Sequence, residues 1–357
     1  MDSLLNFFKD KKVFVTGHTG FKGSWLTTLL VESGANVTGY ALSPQTNPNH
    51  FDLLNLKNRI NHIEGDIRDF ELLNNSVQRS QPDIFLHLAA QALVRLSYED
   101  PLETYSTNVM GSVNVLESVR KCNSIKSLVY VTSDKCYENV EWVWGYREDD
   151  KLGGHDPYSA SKGAAEVVFS SYLRSFFYNS RIGAASARAG NVIGGGDWSK
   201  DRIIPDCIRS IQSNQKIVLR SPNATRPWQH VLEPLSGYLL LAKKLFEEPK
   251  KFSGSWNFGP NTHKVKNVYD VAKEVTSVFG KGEISIIQDS SNLHEANLLQ
   301  LNCDKAHQYL GWYPRWDVDT TLRNTAFWYK RVLEGENAEV VTKEQIHEFF
   351  DLGVRYD

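Results

Sequence analysis

The stretch VTSDKCYENV, residues 131–140, sets a hydroxyl, a carboxylate and an amine on consecutive residues, Ser133, Asp134 and Lys135, directly after the apolar run IKSLVYV. A Ser-Asp pair often serves only to cap a helix or close a turn. The same groups can also bind a substrate hydroxyl, donate a proton and accept one, provided the pocket raises the carboxyl and lowers the amine. A second set lies in HDPYSASKGAAEVVF, where Tyr158 and Lys162 are one helical turn apart. Asp156 suits an N-cap and Pro157 the first helical position, so both side chains fall on one face of a helix. A phenol ordinarily titrates at about 10. A neighbouring ammonium favours phenolate, which predicts Tyr158 as a general base near neutral pH. As an isolated pattern, the pair would read as solvated surface residues.

VFVTGHTGFKGSWLTTLL places Gly17, Gly20 and Gly23 between an apolar strand-like run and a helical one. Glycines at such a turn let backbone N–H groups approach a pyrophosphate at the positive end of the helix. The strand–turn–helix context is what gives the pattern weight. The second strand ends in GYALSP, with neither acid nor arginine, which leaves NAD and NADP both open there. Asp66 in EGDIRD offers a carboxylate for an adenine amino group.

Strands are expected at 12–17, in ANVTGYAL, in NHIEGD, at 83–90 and in IKSLVYVTS, with helices between them, one of them long over 101–122. That alternation predicts an α/β fold, a Rossmann-type doubly wound parallel sheet. After about residue 190, Gly and Pro cluster. The expectation is a dinucleotide-binding domain over 1–188 and a smaller, loop-rich substrate-binding lobe over 189–357, with interleaving of segments allowed. A formal net charge of −2 gives no basis for a nucleic-acid partner. No apolar run approaches the roughly 20 residues of a membrane span. The opening MDSLLNFFKDKKVFV is acidic early and lacks a small-residue cleavage site, so a cytoplasmic protein is expected. Cys122, Cys136, Cys207 and Cys303 have no metal-ligand spacing and read as reduced thiols; no metal is expected. His87, at a strand end, reads as a satisfied core histidine.

Over nearly its whole length the chain resembles the extended short-chain dehydrogenase/reductase superfamily of nucleotide-sugar epimerases and dehydratases. The likeness runs through TGHTGFKG, GDIRD, HLAAQ, TNVMGSVNVLE, Ser133 at its strand end, YSASK, RAGNVIGGGDW and RPWQHVLEPL. It implies NAD held by Gly17, His18, Thr19, Gly20, Phe21, Lys22 and Gly23, by Asp66 and Ile67, by Leu88, Ala89 and Ala90, and by Asn108, Tyr158 and Lys162. It implies that Ser133 bonds the sugar 4-hydroxyl, Tyr158 removes its proton, and Lys162 holds the nicotinamide ribose. Gln91, Asn191, Arg202, Leu219, Arg220, Arg226, Asn261 and His294, with Glu295 beside it, fall at substrate positions. Among them Arg226 meets the diphosphate, and Leu219 and Arg220 enclose the base. A surface ion pair is the alternative for Arg202 and Arg220.

Epimerases of the superfamily carry no acid/base pair after the strand-five hydroxyl, whereas its 4,6-dehydratases carry Asp-Glu. Asp134-Lys135 is similar to the branch acting on CDP-glucose, as are HLAAQALVRLSYEDP and GNVIGGGDWSKDRIIPD. The resemblance therefore implies a lyase of deoxysugar (O-antigen, lipopolysaccharide) biosynthesis. It would oxidise C4, eliminate water across C5 and C6, and return the hydride to C6. Asp134 is the expected acid and Lys135 the expected base; an ion pair between them would leave neither in the required state. The other readings are a dehydratase of dTDP- or GDP-glucose, a 4-epimerase, and a non-catalytic dinucleotide sensor, which would not need Ser133, Tyr158 and Lys162. The superfamily pairs the helices at 101–122 and from 157 into a four-helix bundle, which implies a homodimer.

Overall fold

The structure is a computed structural model that describes residues 3–260, 265–287 and 298–351. Its centre is a seven-stranded sheet of β1 (Lys12–Thr16), β2 (Asn36–Ala41), β3 (Asn61–Glu64), β4 (Ile84–His87), β5 (Ser127–Val131), β6 (Gly183–Arg188) and β7 (Gly254–Asn257). All neighbours are parallel, in the order β7-β6-β5-β4-β1-β2-β3. Strands such as SLVYV are apolar on both faces because helices cover both. Val13 and Val15 meet Trp25, Leu26 and Leu29 of α1 (Phe21–Glu32) on one face. Phe14, Phe85 and Tyr130 lie on the other, with residues of α2 (Phe70–Ser80), α3 (Ser112–Lys121) and α4 (Pro157–Tyr172).

The order reverses between β1 and β4, and in such sheets the ligand crevice lies beyond the C-terminal ends at that switch point. The expected long helix at 101–122 is a relay of Pro101–Tyr105, a π-turn at Ser106–Gly111, and α3. Inserting a π-turn re-aims one side chain, and such turns concentrate at functional sites; this one carries Asn108.

The second half does not stay apart from the sheet. β7 closes its edge against β6, and α5 (Leu232–Glu247) packs on the face that bears Val129 and Ala185. Short ladders, 192–193 with 229–230, 217–219 with 284–286 and 225–226 with 266–267, form the loop-rich remainder. Among the described residues no helix is long and apolar enough to cross a membrane.

Candidate active site

The turn from β1 to α1 is shaped by its glycines. Gly17 takes φ +76°, and a Cβ on Gly23 would fall 2.0 Å from the Gly17 carbonyl oxygen. Gly20 caps α1 without a side-chain hydrogen bond, so the helix N-terminus keeps N–H groups available for an anion. This cradle fits a dinucleotide pyrophosphate. Thr19 Oγ1 donates to the Leu42 carbonyl at 2.8 Å, pinning the turn to the end of β2. The His18 side chain turns away into the core. Its imidazole is buried beneath Gly39 and bonds His62 at 2.7 Å, so only its backbone faces the turn.

The remaining cofactor positions cluster at the neighbouring strand ends. The Leu88 and Ala89 amides approach Thr16 Oγ1 at 3.2 and 3.3 Å, and Ala90 follows them in the loop after β4. Ile67 packs against Gly111 of the π-turn. Asp66 is engaged by the backbone N–H, Nε and Nη2 of Arg68, which hold its carboxyl below the usual range.

Asn108 Nδ2 donates to Ser161 Oγ at 2.9 Å and to the Gln91 carbonyl at 3.0 Å, while Oδ1 accepts from Gln91 N. It thereby ties the loop after β4 to α4. α4 is started by Asp156, whose carboxylate accepts from the backbone N and the hydroxyl of Ser159, with Pro157 in the first turn. Tyr158 and Lys162 are both buried, and the Lys162 ammonium lies 5.8 Å from the centre of the Tyr158 ring. Burial pushes the phenol up to about 12, opposed by the Ser133 hydroxyl. The Arg202 charge also favours phenolate, while Asp134 and Asp156 act against it. Burial likewise lowers Lys162 to about 8. Lys22 is lowered to about 8 by burial and by Arg202, opposed by Asp134. The turn lysine therefore reaches toward the same centre.

Ser133 caps the single turn Asp134–Cys136. Its Oγ accepts from Lys135 N at 3.3 Å and donates to Asp134 Oδ1 at 2.9 Å. Asn191 Nδ2 approaches Asp134 Oδ2 at 3.5 Å, from a left-handed backbone with φ 51°. Gly190 packs so closely that a Cβ there would sit 1.8 Å from Asp134 Oδ2. Among the described residues Asp134 and Lys135 form no ion pair, so the obstacle raised by the sequence is absent. Asp134 opens on a small cavity bordered by Gly190, Pro227, Gln229 and Gly259.

The substrate positions divide. Arg202 pairs with Asp197 at 2.7 Å while its charge acts on Tyr158. Arg220 pairs with Asp201 at 3.2 Å. Arg226 Nη1 donates to the Thr225 carbonyl. Leu219 is buried at the end of its ladder. The Gln91 side chain bonds the Thr104 hydroxyl and the Leu93 backbone. Asn261, His294 and Glu295 lie outside the described residues. Three neighbours of the site were not singled out from the sequence: Tyr137, Glu166 and Arg188. Glu166 could have been found, since it lies one turn beyond Lys162 on the same face.

Fold and site together define a member of the extended short-chain dehydrogenase/reductase class, with a hydroxyl–tyrosine–lysine cluster and an adjoining aspartate–lysine turn. Residues 14–325 match the family model described as GDP-mannose 4,6 dehydratase. A CDP-glucose 4,6-dehydratase of Salmonella typhimurium is 50% identical, over 98% of this chain and 99% of the relative. Among solved structures, an epimerase of Methanothermobacter thermautotrophicus superposes with TM-score 0.79 at 22% identity, covering 95% of this chain and 96% of that one. A dTDP-glucose 4,6-dehydratase of Bacillus anthracis, in complex with NAD, superposes with TM-score 0.75 at 22% identity, covering 91% and 98%. The chain belongs to the GDP-mannose 4,6 dehydratase family.

Proposed function

We propose that the chain removes water from CDP-glucose to give CDP-4-keto-6-deoxyglucose, with NAD as its bound cofactor. The observation that carries this reading is the Asp134–Lys135 turn, with no ion pair between its two charges and with the Ser133 hydroxyl linking Asp134 to Tyr158. The 50% identity to a CDP-glucose 4,6-dehydratase supports the choice of base and sugar.

Ser133 holds the sugar 4-hydroxyl and Tyr158 takes its proton, while Lys162 steadies the ribose and supplies a cation beside the phenol. NAD, held by the turn and strand-end residues, would supply the hydride acceptor for C4 and the hydride donor for C6. The 4-ketone acidifies the C5 proton. Lys135 accepts that proton, and Asp134 donates one to the 6-hydroxyl, which leaves as water. Lys135 then returns its proton to C5, and the proton taken up by Tyr158 passes through the Ser133 hydroxyl to Asp134, so the balance is CDP-glucose in, the 4-keto-6-deoxy sugar and one water out. The turn glycines with Lys22 and the strand-end residues 66–67 and 88–90 are proposed for the cofactor. Arg226 is proposed for the diphosphate, Leu219 and Arg220 for the cytosine, and Asn191 and Arg202 for the sugar side.

The test is incubation with NAD and, separately, CDP-, dTDP-, UDP- or GDP-glucose, followed by mass spectrometry. Loss of one water from CDP-glucose alone, without net NADH, is expected. Unchanged masses would overturn the reading.

The proposal includes a homodimer built on the Pro101–Tyr105 helix and α4. Leu102, Tyr105, Met110 and Val167 expose apolar surface there, which supports it. Light scattering on the eluting protein should give twice the chain mass; a monomer at micromolar concentration would sink it. Four buried free thiols suit a reducing cytoplasm.

A further inference from the structure

We infer that Tyr137, fixed by the buried Glu166–Arg188 ion pair, is a positioning residue for the Asp134–Lys135 turn and controls water elimination rather than sugar binding or C4 oxidation. This rests on the dehydratase reading above. Glu166 and Arg188 have side chains only 1% and 3% exposed and meet at 2.8 Å. A charge pair so far from water is a costly device that persists only with good geometry and further hydrogen bonds. Here those bonds lead to the acid/base turn from both sides. On its N-terminal side, Thr132, next to Ser133, donates its hydroxyl to Glu166 Oε1. On its C-terminal side, Arg188 Nη1 donates to the Tyr137 hydroxyl at 2.7 Å, and that hydroxyl donates to Asn257 Oδ1 at 2.8 Å. Asn257 in turn donates to the carbonyls of Tyr146 and Asn302. Ser186 completes the set on Glu166 Oε2.

The helix bearing Tyr158 and Lys162 contributes Glu166 to this network but does not hang on it alone. It has its own anchors in the Asp156 cap, the Tyr158 N to Ser97 Oγ bond at 3.1 Å and the Asn108–Ser161 bond. Apart from Thr132 and Tyr137, the turn is held by the short-range Ser133 cap, by the Gly153 N to Cys136 carbonyl bond and by the long Asn191 Nδ2 contact to Asp134 Oδ2 at 3.5 Å. Loosening Tyr137 should therefore displace Asp134 and Lys135 first. Tyr137 itself is buried among Leu152, Leu301 and Tyr146, so its effect is exerted through the turn.

Tyr137→Phe removes the shared hydroxyl while keeping the ring, and is to be compared with wild type and with Glu166→Gln. For Tyr137→Phe, water loss from CDP-glucose should slow roughly 100-fold with KM changed less than about twofold. In a single turnover, reduced nicotinamide absorbance should appear at the wild-type rate and then persist. Deuterium from solvent should enter C5 correspondingly slowly. Wild-type water loss in Tyr137→Phe, or failure to reduce the nicotinamide, overturns the inference. If Glu166→Gln does not fold, Tyr137→Phe alone decides. A wild-type protein that releases no water from any nucleotide-glucose overturns the dehydratase reading itself, a result distinct from either.

Discussion

At the level of single residues, the proposed chemistry asks opposite things of neighbouring groups. Lys135 must accept a proton, Lys162 must stay charged. Lys135→Ala should therefore stop elimination and still permit C4 oxidation, seen as nicotinamide that stays reduced while no water is lost; normal turnover would remove Lys135 as the base. Lys162 is lowered to about 8 by burial, so its ammonium is present below that pH and lost above it. Accordingly kcat/KM should decline as pH rises through about 8, and a flat profile from about pH 7 to about pH 10 would show that this charge is not needed. The residues whose spacing is local, Ser133–Asp134–Lys135 and Tyr158–Lys162, were legible in the sequence because one turn or one helix face brings them together. Glu166 and Arg188 stand on different elements 22 residues apart, and only the packing of α4 on β6 makes them a pair. His18 shows another limit. A motif fixes where the backbone of the turn goes, but not which way an imidazole rotates once a buried partner such as His62 is within reach.

At the level of elements, the β1–α1 turn and the start of α4 carry the site. Both were readable beforehand, since glycine spacing and an Asp-Pro start each have a direct backbone meaning. Gly23→Ala would drive a methyl to 2.0 Å from the Gly17 carbonyl, so the turn must open. Dinucleotide binding, followed by calorimetry, is expected to weaken by roughly 100-fold or more with secondary structure intact. Unchanged affinity would mean that the pyrophosphate does not sit on this turn. Asp156→Ala removes a cap that takes two bonds from Ser159. It should cost about 1 kcal/mol of stability in denaturant unfolding. Because Tyr158 lies in that first helical turn, kcat should drop as well; a stability loss with unchanged kcat would separate the cap from the chemistry. The π-turn at Ser106–Gly111 was not legible. Its sequence, STNVMG, has ordinary helical character, and the bulge follows from Asn108 bonding Gln91 and Ser161.

For the molecule as a whole, the sheet does not end where the sequence rhythm does. β7 joins it from beyond residue 250, a parallel pairing with no local signature because the intervening chain first builds the ladder of 192–193 with 229–230 beside Asn191. Closing such a core buries polar groups along with apolar ones, and this gives the protein a pH dependence. His18, His50, His87 and His230 are all buried, and burial lowers each from 6.5 to about 3. A base with a lowered folded pKa binds fewer protons folded than unfolded between those values. Its neutral form is free of penalty above 6.5, and acid then pulls the equilibrium toward the unfolded chain. Each such group costs up to about 1.4 kcal/mol per pH unit on the acid side of its unfolded pKa. Glu233, pushed up to about 7 by burial, and Glu148 and Asp206, also raised, work in the opposite sense because they gain protons on folding. Burial works to raise Glu166, but the Arg188 guanidinium and the hydroxyls of Thr132 and Ser186 outweigh it and hold the carboxyl lowered, which adds to the loss in stronger acid, below the ordinary carboxylate range. Four imidazoles outweigh the raised carboxyls until their unfolded values are passed. The thermal unfolding midpoint should therefore fall steadily from about pH 7.5 to about pH 5 in scanning calorimetry, with Phe substitution of no active-site residue required to see it. A midpoint that holds level or rises over that interval would mean that these histidines take up protons within the fold, and that the packing around β1, β4 and α1 is looser than their burial implies.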